Sequence, residues 1–245
     1  MTFRKLLTTT SPQPTATPGT PANVSQPSSA THPHGNIPMH SPPATSDHDN
    51  CADTLVFGSS LTKDLDSTLL SKRGKTFKVF TKGGARVENI MKLIRDAVKN
   101  KEVCTCCVQS IFIVAGGNDA ENIRSPSGMD NLKSAFNKLI QLINNNFPVI
   151  RVNIVSLMPR RCYSYTHLQR IFEINDFLSV ICKSSHNCFL IKMFTKFLLY
   201  KALYYMNNEV YLNEKLYKAD RLHFSTIGTS VLAKTLIAVA NDPRY

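Results

Sequence analysis

No stretch of this chain approaches the roughly 20 uninterrupted apolar residues of a membrane-spanning helix. The nearest, Phe189–Met206, is broken by Lys192, Lys196 and Lys201. The first ten residues hold no apolar run long enough for a signal-peptide core. A disulfide framework is missing too: the seven cysteines, at positions 51, 104, 106, 107, 162, 182 and 188, are odd in number and irregular in spacing. These absences exclude a membrane span and point to a reducing, intracellular compartment, cytoplasmic by default. There the sequon Asn23-Val24-Ser25 would go unused. No Gly-x-x-x-x-Gly-Lys-Ser/Thr phosphate loop, Gly-x-Ser-x-Gly elbow or His-Glu-x-x-His metal site occurs. Three large classes of catalyst are thereby set aside. Internal repeats are absent as well.

Acidic side chains are scarce, 17 against 29 Lys and Arg. Residues 1–50 hold two of each sign, so 27 basic groups face 15 acidic ones in residues 51–245. The folded part carries the whole excess, and its surface should attract nucleic acid or anionic surfaces non-specifically.

Nine of the thirteen prolines fall within residues 8–50, among Thr, Ser and Ala. Such a composition cannot bury enough apolar surface to order itself. Residues 1–51 are therefore expected to be a disordered tail and residues 52–245 a single folded domain. His32, His34, His40 and His48 lie in the tail at irregular spacing with no cysteine pair, which fits a solvated segment better than a metal site.

From residue 52 onward, short β-type runs alternate with helical periodicity. Strands are expected at 54–58, 76–81, 110–115, 148–157 and 188–194, and helices at 87–99, 128–146, 165–184 and 226–240. This alternation predicts a doubly wound, three-layer α/β/α domain around a mostly parallel five-stranded sheet. The run 110–115, apolar from Ile111 to Ala115, suits a central strand covered on both faces. Residues 196–206 read as a helix with interleaved Tyr and Lys, and 207–216 as a loop.

The segments that follow the first three strands carry the chemistry. They are Gly58-Ser59-Ser60, Lys82-Gly83-Gly84-Ala85 and Gly116-Gly117-Asn118-Asp119. In an open α/β sheet the carboxyl ends of the strands line the ligand crevice. A serine hydroxyl, an unhindered glycine N–H and an asparagine amide would share that edge, a nucleophile beside two oxyanion donors. Serine is inert at neutral pH without a base. Asp220-Arg221-Leu222-His223 supplies a histidine with a carboxylate three residues away, able to fix its tautomer. His167 and His186 have no such partner nearby. Each block also has an ordinary use as a turn or a helix cap.

In that order, Gly-Ser-Ser-Leu-Thr, Gly-Gly-Ala, Gly-Gly-Asn-Asp and Asp-x-x-His resemble the four blocks of the SGNH, or GDSL-type, hydrolase superfamily, over about residues 52–240. The resemblance implies a flavodoxin-like fold, Ser60 as nucleophile, and Asp220 with His223 completing a triad. It implies the Ser60 N–H, Gly84 and Asn118 as oxyanion donors, with Gly83 an alternative to Gly84. An ester or acylated small molecule would be the substrate, cleaved through an acyl-enzyme, with no cofactor and no metal. Ser59 stands where the family has an aspartate. The Pro-rich leader before a basic domain is also loosely similar to SGNH domains encoded by invertebrate retroelements. A rival from another class is a catalytically silent module of this fold that binds nucleic acid through its basic surface.

Cys104-Thr105-Cys106-Cys107 would need a second ligand pair to hold zinc, and Cys162, Cys182 and Cys188 are not spaced to supply one. These thiols are expected to be packed or inert.

Overall fold

Five short runs rich in β-branched and aromatic residues form the sheet: β1 (Thr54–Gly58), β2 (Phe77–Thr81), β3 (Ser110–Val114), β4 (Arg151–Val155) and β5 (Cys188–Ile191). In this computed structural model, residues 51–71, 74–160, 165–197 and 212–242 are described. The segment 1–50 and most of 196–211 lie outside them, and with these the expectations of a tail and of a Tyr/Lys helix.

All four strand pairings are parallel, in the order β2-β1-β3-β4-β5. The chain leaves β1 for β2 on one side and returns to β3 on the other. The order therefore reverses between β1 and β3, and a doubly wound sheet has its crevice at that reversal.

Six helices accompany the sheet among the described residues: α1 (Ser67–Leu70), α2 (Val87–Lys99), α3 (Gly117–Asn122), α4 (Pro126–Asn146), α5 (Tyr165–Lys183) and α6 (Thr226–Ala240). The apolar period predicts α2 and α6 to the residue. Helix α4 begins two residues before the period does, because Ser125 caps it, its Oγ accepting the Gly128 N–H at 3.3 Å, and Pro126 fits the first turn. β4 is shorter than expected. Pro148 has no N–H for the ladder and Val149 is 95% exposed.

Strand alternation divides the core in two. Leu55, Phe57, Ile111, Ile113, Val152 and Ile154 face α2, α4 and α5, with Ile90, Ile94, Phe136, Leu139, Ile174 and Leu178 fully buried against them. Val56, Phe112 and Val114 face the other way, into a cluster with Leu61, Leu70, Phe224, Leu232 and Leu236. Burying a side chain of this size contributes roughly 1.5–3 kcal/mol. Both faces of the sheet are covered by such contacts, as an all-parallel sheet requires.

Candidate active site

Ser59 extends β1 by one rung, its N–H donating to the Val114 carbonyl at 3.1 Å. The chain then folds into a single 3-10 turn, Ser60–Thr62. Thr62 donates twice to the Ser59 carbonyl, from its N–H (3.0 Å) and its Oγ1 (2.9 Å), so its Oγ1 accepts from Thr81 Oγ1 at 2.8 Å. This tight return requires glycine at 58, where a Cβ would lie 2.3 Å from Thr62 Cγ2. Ser60 is half-buried at the start of the turn. Ser59 is 1% exposed, and its Oγ has no hydrogen-bond partner among the described residues.

The block after β2 is a turn closed by the Ala85 N–H on the Lys82 carbonyl at 3.2 Å. Gly84 occupies its third position with φ +66°, the left-handed region that favours glycine, whereas nothing crowds Gly83. Lys82 N–H donates to the Gly58 carbonyl at 3.1 Å, which ties this turn to the serine turn.

After β3 the chain turns at Gly116, with φ +98°, into α3. A Cβ at 116 would lie 2.8 Å from the Phe136 ring. Asn118, in the first turn of α3, donates its Nδ2 to the Ala85 carbonyl at 2.9 Å and accepts at Oδ1 from Arg160 Nη1 at 2.8 Å. Arg160 is 2% exposed and its guanidinium lies over Gly117, where a Cβ would come within 2.7 Å of Nη2. The next residue, Asp119, accepts the Val87 N–H at 3.1 Å and so caps α2 from a distant part of the chain. Burial raises its carboxyl from the ordinary range to about 6, outweighing the Val87 hydrogen bond and the nearby Arg86.

The Asp220–His223 run is a small folded unit. Asp220 Oδ2 meets His223 Nδ1 at 2.6 Å, while its Oδ1 accepts the N–H groups of Leu222 (2.8 Å) and His223 (2.9 Å). The turn needs Arg221 at φ +52° and is closed by Lys218 N–H on the His223 carbonyl at 2.8 Å. The hydrogen bond with His223, then those from the backbone, hold the Asp220 carboxyl below the usual range. It is a carboxylate throughout the physiological pH range.

Two contacts fix this loop to the rest of the strand ends. Lys218 pairs with Asp64, four residues beyond Ser60, at 2.8 Å, and the Tyr217 hydroxyl donates to the Pro159 carbonyl beside Arg160. Phe224 and Leu61, each next to a predicted site residue, belong to one buried cluster. Hydrogen bonds thus link the glycine turn to the serine turn and to Asn118, and link Asp220 to His223. Among the described residues the Ser60 hydroxyl makes no hydrogen bond to His223. Arg160 and Tyr217 were not singled out in the sequence. The one signal for Arg160 is a cationic residue in the loop that follows an apolar strand.

The chain resembles solved structures. A GDSL-like lipase from Bacteroides thetaiotaomicron superposes with a TM-score of 0.59 at 18% identity, over 77% of this chain and 89% of that one. A lipase from a goat rumen metagenome gives 0.60 at 14%, over 78% and 99%, and an acetyl xylan esterase gives 0.56 at 18%, over 76% and 98%. The fold is that of the SGNH hydrolases. No family model and no curated protein matches the sequence. In this SGNH fold the segments after β1, β2 and β3 lie at the carboxyl edge of the sheet, as the strand register requires.

Proposed function

We propose that this chain is a serine esterase that cleaves a carboxylic ester through an acyl-enzyme. The observation that carries the reading is the Asp220–His223 pair, held at 2.6 Å by a carboxylate whose other oxygen is already occupied by two backbone N–H groups. A carboxylate bound in this way has one direction in which to hold a ring, so Nδ1 carries the proton and Nε2 is left as the base.

In the proposed reaction Ser60 Oγ attacks the acyl carbonyl carbon and His223 Nε2 takes its proton. The oxyanion is met by the Ser60 N–H, by the N–H of Gly84 and by the second hydrogen of Asn118 Nδ2, the first being engaged by Ala85. Collapse expels the alcohol, which takes the proton from His223. Water, deprotonated by His223, then attacks the Ser60 ester; the tetrahedral adduct collapses, Ser60 Oγ takes the proton back from His223, and the carboxylic acid leaves. The esterases and lipases that share the fold support ester hydrolysis in general terms.

Reaction with a fluorophosphonate probe tests the reading. Labelling of the wild-type chain that is lost in both Ser60→Ala and His223→Ala is the expected result. A folded, unlabelled wild-type protein would overturn it, and salt-titrated RNA and DNA binding would then test the silent-module reading.

A further inference from the structure

We propose that Cys51, Cys104, Cys106 and Cys107 form a four-thiolate site for one thiophilic divalent metal ion of the zinc class. The topology brings them together. Cys51 lies three residues before Thr54 and Cys107 three residues before Ser110, and Thr54 and Ser110 are paired on neighbouring parallel strands. The ladder runs on past the strands, with Gln109 and Ser110 N–H donating to the Asp53 carbonyl at 2.8 and 3.2 Å. The segment 104–107 closes into a turn through Cys107 N–H and the Cys104 carbonyl at 3.1 Å, which sets out the two sulfurs of a Cys-x-x-Cys.

The sulfur atoms of Cys51, Cys104 and Cys107 lie within 4.8 Å of one another. Cys106 Sγ is 2.8 Å from that of Cys104 and 3.9 Å from that of Cys107, and Cys104 and Cys107 are 3.2 Å apart. These separations exceed the S–S bond of about 2.05 Å. They bracket the edge of about 3.8 Å in a tetrahedron with 2.3 Å Zn–S bonds. A disulfide would use two of the four and strand the others. One ion seated among Cys51, Cys104 and Cys107 would take Cys106 as its fourth ligand once that exposed side chain turns toward it, and soft thiolates select zinc over magnesium or calcium.

Cys51, rather than a second pair from Cys162, Cys182 and Cys188, supplies the thiol from a second segment. These thiols were expected to be packed or inert; Cys106 is exposed and Cys104 and Cys107 are half-buried. The cluster sits at the amino edge of the sheet, opposite the edge that bears Ser60. Four protein ligands leave no open position, so the ion would be structural, clamping the entry to β1 onto the α2–β3 loop.

The test uses the full chain, expressed with zinc and purified under reducing conditions. About one zinc per chain by elemental analysis is expected, with release on titration of thiols by an organomercurial. Cobalt in place of zinc should give intense tetrahedral d–d bands and a thiolate charge-transfer band. Cys51→Ser and Cys106→Ser should each weaken metal binding at least as much as the roughly tenfold loss typical of removing a mere supporting group. Cys182→Ala should leave it unchanged. A reduced, folded wild-type chain that takes up neither zinc nor cobalt would overturn the proposal. So would a cobalt spectrum without thiolate bands, which needs no variant to fold, or full metal content in a Cys51→Ser, Cys104→Ser double variant.

Discussion

Arg160 grips Asn118 by its acceptor, Nη1 donating to Oδ1 at 2.8 Å. A guanidinium has only donors, so the amide oxygen must face it and the NH₂ must face the Ala85 carbonyl and the space beside it. The orientation of the proposed oxyanion donor is therefore fixed by a residue five positions beyond the end of β4 and 42 residues away in sequence. Asn118→Ala should lower kcat for a model ester by about 10² to 10³ with little change in KM. Arg160→Met should lower kcat by about tenfold or more in the same pattern, because the amide is then free to turn. Equal kcat in a folded Arg160→Met variant would show that Arg160 only fills space.

Asp220→Asn puts an amide where one oxygen serves two backbone donors and the other serves His223. If its oxygen stays with the backbone, its NH₂ meets Nδ1 and imposes the wrong tautomer. Hydrolysis should fall by several orders of magnitude while the melting temperature changes little, since the Asp220 side chain lies at the surface and Asn keeps an acceptor for the backbone N–H groups. Steady-state kinetics beside thermal melting checks both halves.

Close approach at α6 should make Gly228 far less replaceable than Gly83. A Cβ at 228 would lie 2.0 Å from the Leu216 carbonyl oxygen, which is backbone and cannot rotate away. Gly228→Ala should cost about 3 kcal/mol and displace the loop that carries His223, so stability and activity fall together. Gly84→Ala should cost about 1–2 kcal/mol for its left-handed φ, and Gly83→Ala, in open space, within about 0.5 kcal/mol. Urea unfolding of the three variants gives the order.

Asp119 makes stability fall as pH rises through its titration. Its folded pKa, about 6, is above the unfolded 3.8, so the native state holds the proton more tightly. The resulting stabilisation is fully present below about pH 4 and is lost as pH passes 6. A shift of about two units is on the order of 3 kcal/mol. Asp119→Asn keeps an acceptor for the Val87 N–H and removes the proton. Its stability should be flat between about pH 4 and 6, where the wild-type chain declines; a wild-type curve equally flat in urea titrations across that window would refute the assignment.

Legibility in the sequence followed the range of the interaction. Helix α2 was readable to the residue because its apolar face, with Ile90 and Ile94 buried, has a marked period, and α6 was readable as a long apolar run, with Leu232 and Leu236 buried. Helices α1 and α3, of four and six residues, are too short to show one. Asp220 and His223 were visible because three residues separate them. Arg160 on Asn118 and Cys51 beside Cys104 were not, since each pair meets only when the crossovers are in place. Gly84 rather than Gly83 at the left-handed position also depends on the turn geometry, which two adjacent glycines do not reveal.

Parallel pairing has a consequence for synthesis. Ser60 leaves the ribosome well before Asp220 and His223, and β1 can close on β2 and β3 once residue 114 has emerged. Asp220 and His223 come far later, on the loop directly ahead of α6, whose Leu232 and Leu236 also cover Val56 and Phe112. A nascent chain stopped before residue 220 has the proposed nucleophile but neither the proposed base nor the cover on one face of its sheet. On the proposed reading, competence for hydrolysis and protection from aggregation are acquired in one late step.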